Sequence, residues 1–303
     1  MSTPLDRPEY AASGPVPGGR PGRKLGPIAD SVGSSHRAWL EPTRTSYLAS
    51  GLTLADLSTR VPLAKSKLSE LMRGIGLYPR WELIAGIAVI LDMPVWPLQR
   101  LWRQAALDAQ KTREWIERSS GKHPVTTSAL IPPLEHGAFR ETVEDAYRLY
   151  AQAFLPDGPR DTSVADTFDI LWLSWNGALA SPDMRSYAWN ILRATVMAKT
   201  PHLDGRPELG TAAFDTVVLR ALTYDADRMT QVTESLQLFK ALTRLPDLQL
   251  DVMVLRRLYG FTPEETSALL GLPKPMVQSS ERYAERFLES VFTPAPETEG
   301  PTE

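Results

Sequence analysis

The chain has no cysteine and only four histidines, His36, His123, His136 and His202. Without cysteine there is no disulfide framework, thiolate nucleophile, zinc ribbon or iron–sulfur ligation. No two histidines stand three or four residues apart, so a histidine-based metal site on one helix face is not expected. No segment approaches the roughly 18 consecutive apolar residues that span a bilayer. The best candidate, Leu83 to Leu91, is far shorter and reads as a buried helix. The polar, proline-rich start carries no apolar core of a secretory signal. There is no phosphate loop and no Gly-x-Ser-x-Gly elbow. The acidic neighbours Glu144-Asp145 and Glu264-Glu265 point in different directions on a helix and read as solvated or capping groups. The expectation is a soluble cytoplasmic protein that is not an enzyme, uses no cofactor and no metal, and makes no membrane contact.

At 303 residues the chain predicts about two domains of roughly 150 residues each. Its 43% apolar and 23% charged composition is that of an ordinary globular protein. The net charge of −3 hides a gradient: residues 1–118 carry a net +5 and the remainder a net −8. The N-terminal part is therefore the one suited to a polyanion.

Ala, Leu, Arg, Met and Glu dominate, and the apolar/polar alternation of strands is scarce, so the chain reads as all-α. An N-terminal arm over 1–41 is expected to be disordered, its first 27 residues being rich in Pro, Gly, Ser and Arg. A helical unit follows over 42–118, a polar linker over 119–134, and a second helical unit over 135–203. A connecting segment over 204–235, a third helical unit over 236–292 and a frayed tail over 293–303 complete the chain.

Between Thr53 and Arg73 two short helices are separated by Pro62-Leu63. Thr53 caps the first helix, with Asp56 at the capping-box position, and Leu54, Leu57 and Val61 share a face. In the second, Leu68, Leu71 and Met72 turn inward, Lys65, Ser66, Lys67, Ser69 and Arg73 mostly outward, and Gly74 stops it. Lysines and Arg73 suit phosphates, and short serines suit close approach to base edges. Residues 46–105 resemble an actinobacterial Cro/repressor-type (XRE) helix-turn-helix unit. The resemblance rests on Gly-Leu-Thr-Leu, the serine-rich second helix, the Arg-Gly stop, Pro-x-Trp-x-x-Ile and a closing Leu-x-x-Leu-Trp. It implies a bundle of about five helices that reads double-stranded DNA, with Lys65, Ser66, Lys67, Ser69, Arg73 and Arg80 at the interface. The residues taken alone also fit an ordinary amphipathic helix pair with solvated lysines.

Phe168, Leu171, Trp172 and Trp175 recur at helical spacing, and Ser181-Pro182-Asp183 opens a further helix with Pro182 in its first turn. By themselves these residues describe a buried helical hairpin. The stretch TFDILWLSWNGALASPDMRSYAWNILRATV is similar to region 2 of extracytoplasmic-function sigma factors. That similarity implies contact with RNA polymerase core, with Phe168, Trp172 and Trp175 as contact or core residues. Ile170 and Leu173 stand where the family often carries arginines, so the cationic groups that single-strand capture needs are thinned.

From Phe239 to Phe292 the chain resembles sigma region 4, a second helix-turn-helix. Thr262 caps a helix with Pro263 at its first position and Glu265 at the capping-box position, and Leu269 to Leu272 make the turn. The last helix carries Val277, Tyr283, Phe287 and Leu288. Lys274, Gln278, Ser279, Arg282 and Arg286 are its candidate DNA contacts. Glu281, Glu285 and Glu289 recur on an adjacent face, where they would repel phosphates, pair with Arg282 and Arg286, or contact a protein.

The expected function is that of a promoter-acting, DNA-binding transcription regulator associated with the nucleoid and contacting RNA polymerase. The alternative is a helical body that senses a small ligand or a regulatory protein and controls the N-terminal DNA reader. A homodimer fits a reader of paired half-sites.

Overall fold

The computed structural model describes residues 25–121, 131–211, 213 and 237–292. Among these residues the chain is all-α apart from one minimal antiparallel pair, β1 (His202–Leu203) with β2 (Arg206–Pro207). The expected arm up to residue 24, most of the linker, most of the connecting segment and the tail lie outside the described residues.

Six helices form the N-terminal bundle: α1 (Ser34–Ala49), α2 (Leu54–Arg60), α3 (Lys65–Leu71), α4 (Trp81–Ile90), α5 (Val95–Asp108) and α6 (Arg113–Ser120). Two boundaries differ from expectation. The sequence pattern extends the arm to residue 41, yet α1 begins at Ser34 and places Trp39 and Leu40 fully inside the core. Pro42 sits within α1, and the polar composition upstream conceals that helix. The polar composition starts the linker at residue 119, yet Ser119 and Ser120 complete α6 and are buried. The Ser119 hydroxyl accepts the Trp81 backbone N–H at 2.7 Å, and the Ser120 hydroxyl donates to the Ile116 carbonyl.

Local chemistry sets the α2–α3 geometry. The Thr53 hydroxyl accepts the Asp56 N–H, and the Asp56 carboxylate accepts the Thr53 N–H at 2.8 Å, a complete capping box. Pro62 forces its predecessor out of the helical region, and Val61 is extended at φ −116°, ψ 147°. At the far end of α3, Gly74 has φ +68°, and a Cβ there would lie 2.4 Å from a Val32 methyl. Only glycine meets both conditions. Leu57, Leu68 and Met72 are fully buried against Trp81, Ile84, Leu98 and Trp102.

Beyond the bundle the described residues include α7 (Leu134–Gln152), α8 (Asp157–Leu173), α9 (Trp175–Ala180), α10 (Met184–Met197), α11 (Asp247–Met253), α12 (Pro263–Leu270) and α13 (Lys274–Phe292). A π-helical turn, Val254–Leu258, extends α11. The first turn of α10 was expected to hold Pro182; instead Asp183 is the cap, its carboxylate accepting the Ser186 N–H at 2.8 Å, and Pro182 precedes the helix. Buried residues from Phe139 to Leu288 form one contiguous cluster, so the second and third expected units share a core.

The center of that shared core is polar. Asp251 of α11, 3% exposed, accepts hydrogen bonds from the Tyr150 hydroxyl at 2.7 Å, the Trp189 indole at 3.1 Å and the Arg193 guanidinium at 3.0 Å. Burial pushes its carboxyl above the usual range, against the pull of Arg193. α12 closes on the start of α10 at Gly271, whose φ is +63°. A Cβ on Gly271 would lie 2.2 Å from an Asp183 carboxylate oxygen and 2.3 Å from the Ser186 nitrogen.

Candidate nucleic-acid interfaces

Each of the two helix pairs, α2–α3 and α12–α13, presents the outer face of its second helix to solvent. On α3, Lys65, Ser66 and Lys67 are exposed and Ser69 is half-buried, while Leu68 and Leu71 anchor the opposite face. Lys67 donates to the Glu70 carboxylate at 2.7 Å, a surface pair that sequence reading overlooked although the i,i+3 spacing announces it. Arg80 is exposed at the start of α4. Arg73 behaves differently: it is half-buried, its Nε has no hydrogen-bond partner among the described residues, and it packs against Gly26. Neighbouring Arg44 donates to the carbonyls of Met72 and Gly26, so the two arginines fasten the 25–29 segment to the end of α3. Arg73 is thereby set apart from Lys65 and Lys67. The loop after α3 also carries Leu77, 93% exposed, which the pattern did not single out.

On α13, Gln278, Arg282 and Arg286 are exposed and Ser279 is half-buried, and Lys274 pairs with Glu264 of α12. Ser279, Arg282, Tyr283 and Arg286 surround a small recess of about 140 Å³. Tyr283, an aromatic of the last helix that is not among the candidate DNA contacts, is 60% exposed. Its place was readable: Ser279, Arg282, Tyr283 and Arg286 fall at i, i+3, i+4 and i+7, one helix face. The buried stripe is Val277, Ser280, Glu281, Ala284 and Leu288.

That stripe corrects the reading of the acidic residues. Glu281 is buried and its carboxylate lies 3.0 Å from Arg256 and 3.2 Å from Arg257 of the π-turn, and Glu285 also pairs with Arg257. Of the three alternatives, pairing with Arg282 or Arg286 is not what these two carboxylates do, because both turn toward the π-turn that extends α11. The cationic face of α13 is left clear of them.

Phe168, Trp172 and Trp175, expected as polymerase contacts or core, are buried. Phe168 stacks on Tyr147 at 5.8 Å, Trp175 meets His136 edge-on at 5.2 Å, and Trp172 lies between His136 and Trp96 of α5. The three are core and seam residues, with no exposed contact surface. The seam between the N-terminal bundle and the rest is clasped by Arg100 of α5, which donates to Asp166 at 2.6 Å and to Asp169 of α8. Lys199 holds the other Asp166 oxygen at 2.6 Å. Burial pushes the Asp169 carboxyl up to about 6, against the pull of Arg100.

Among the described residues no group of His, Asp and Glu is arranged to hold a metal ion, and no helix is long and apolar enough to cross a membrane. A scan against protein-family models finds no match to this chain, and searches of curated proteins and of solved structures find none either.

Proposed function

We propose that the chain is a sequence-specific, double-stranded DNA-binding regulator of transcription. Its principal reader is α3, with α13 as a second DNA-contacting helix. One observation carries this reading: in both helix pairs the second helix is anchored by a buried stripe and turns cationic and hydroxyl groups outward, with Lys67 and Lys274 each in a surface ion pair. Such a helix can enter the major groove, with Lys65, Lys67 and Arg80 on phosphates and Ser66 and Ser69 at base edges. On α13 the corresponding groups are Gln278, Ser279, Arg282 and Arg286. Contact with RNA polymerase belongs to the proposal through surface other than the buried aromatics, and co-elution with purified core enzyme tests it.

The DNA reading is tested by selecting sites from a random duplex pool with the full chain and with Lys65→Ala/Lys67→Ala. Enrichment of one motif by the wild type and its loss in the double variant is the expected result. Enrichment that survives the substitutions and disappears with Arg282→Ala/Arg286→Ala would assign the reading to α13 instead. No enrichment at all would sink the DNA reading.

A second role, the helical body as a sensor that controls the reader, is favoured by the seam. The Arg100 clasp couples α5 directly to α8, so a change in the body has a physical route to the bundle.

A further inference from the structure

Helices α1 and α10 both lean on α8 without closing on each other, and a cavity of about 470 Å³ remains between them. Its volume falls within the range of small-molecule sites, roughly 300–1,000 Å³, and it lies at a junction between units, where such sites concentrate. The space exists because the facing walls carry small side chains, Ala38 on α1, Ala194 on α10 and Ala198 at the C-terminal cap of α10. Ile170 and Ile191 supply apolar surface.

The charges around the cavity are already matched. Arg37 donates to the Glu41 carboxylate and to the Val32 and Ala29 carbonyls, which occupies its guanidinium. Lys199 is held by Asp166, which Arg100 also holds. An added anion would face Glu41 and Asp166, and an added cation would face Arg37 and Lys199. Neither sign is favoured, whereas the Tyr187 and Thr45 hydroxyls line the space without a partner among the described residues.

We propose that this cavity binds a small, uncharged, mostly apolar molecule bearing hydrogen-bonding groups. Such a ligand bridges α1 of the N-terminal bundle to α10 of the body. The site deepens the sensor reading and rests on it only for the regulatory consequence; binding itself is independent of DNA.

The test uses the full chain and two fluorescent probes with one skeleton. N-phenyl-1-naphthylamine is uncharged, and 8-anilinonaphthalene-1-sulfonate adds a single negative charge. The uncharged probe is expected to saturate one site and the sulfonate to bind at least tenfold more weakly. Ala194→Phe and Ala198→Phe change exposed positions, so the fold, followed by circular dichroism and Tm, should persist. Each should weaken the uncharged probe at least tenfold. Absence of saturable binding, equal binding of the sulfonate, or unchanged affinity in both folded variants would overturn the proposal. Probe binding that leaves DNA affinity unchanged would uphold the site and sink only the sensor reading.

Discussion

The Glu281 carboxylate of α13 lies 3.0 Å from the Arg256 guanidinium of the π-turn that follows α11. This pair decides which way the last helix faces. Glu281 is 7% exposed, and the carboxylate spacing that suggested an acidic outer face instead marks an internal clasp. Removing one partner of a buried pair leaves the other uncompensated, so Glu281→Ala should lower stability by about 3 kcal/mol in urea unfolding. The DNA affinity of the folded fraction should stay within about twofold, since the carboxylate does not face phosphates. A tighter complex, most clearly at low salt, would show that Glu281 repels DNA after all.

The proposed α3 interface makes an electrostatic prediction. Each phosphate contact contributes about 0.9 to the slope of log affinity against log salt. Lys65→Ala should lower that slope by about 0.9 on a selected duplex. Lys67 is tethered to Glu70 at 2.7 Å, so Glu70→Gln releases it and should tighten binding, most clearly at low salt. Anisotropy titrations across a potassium chloride series check both. A slope that ignores Lys65 would remove it from the interface.

Much of this arrangement is legible in the sequence, where local chemistry is decisive. The Thr53–Asp56 and Thr262–Glu265 capping boxes, Pro263 at the first helical position and the Gly74 stop all lie where the pattern puts them. So do the buried Leu57, Leu68 and Met72. What was missed depends on partners far along the chain. Asp251 has no local signature, because Tyr150, Trp189 and Arg193 reach it from two other helices. Asp166 and Asp169 have no local signature either, because Arg100 arrives from 69 residues before Asp169. Glu281 is a different case: the helical register from Val277 puts it on the buried stripe with Ala284 and Leu288, although its charge suggests solvent.

Gly271 supports a prediction about how the α12–α13 pair is held. It combines a left-handed φ of +63° with a backbone approach that leaves no room for a side chain beside Asp183 and Ser186. Gly271→Ala adds backbone strain and overpacking at one point, and should cost about 2–4 kcal/mol. The same substitution at Gly205, which also has a positive φ but open space around it, should cost less because only the backbone term applies. Thermal unfolding of both variants gives the comparison. Equal costs would mean that the contact with α10 is not tight in solution.

The seam between bundle and body should respond to pH through Asp169. Burial raises its folded value to about 6 from an ordinary 3.8, so the folded state holds the proton more tightly than the unfolded chain. By linkage this favours folding fully below the unfolded value, and the contribution is lost as pH rises through about 6. The Arg100 guanidinium opposes this by favouring the ionised carboxylate, but the loss of solvent around Asp169 outweighs it. Between pH 4 and pH 7 the wild type should therefore lose about 2 kcal/mol relative to Asp169→Asn, whose side chain does not titrate. Urea unfolding of both proteins across that range measures the difference between the two curves, in which the other carboxylates cancel to first order. Parallel curves would show that Arg100 and solvent keep Asp169 ionised throughout, and that the clasp is too open to act as a proton-linked joint between α5 and α8.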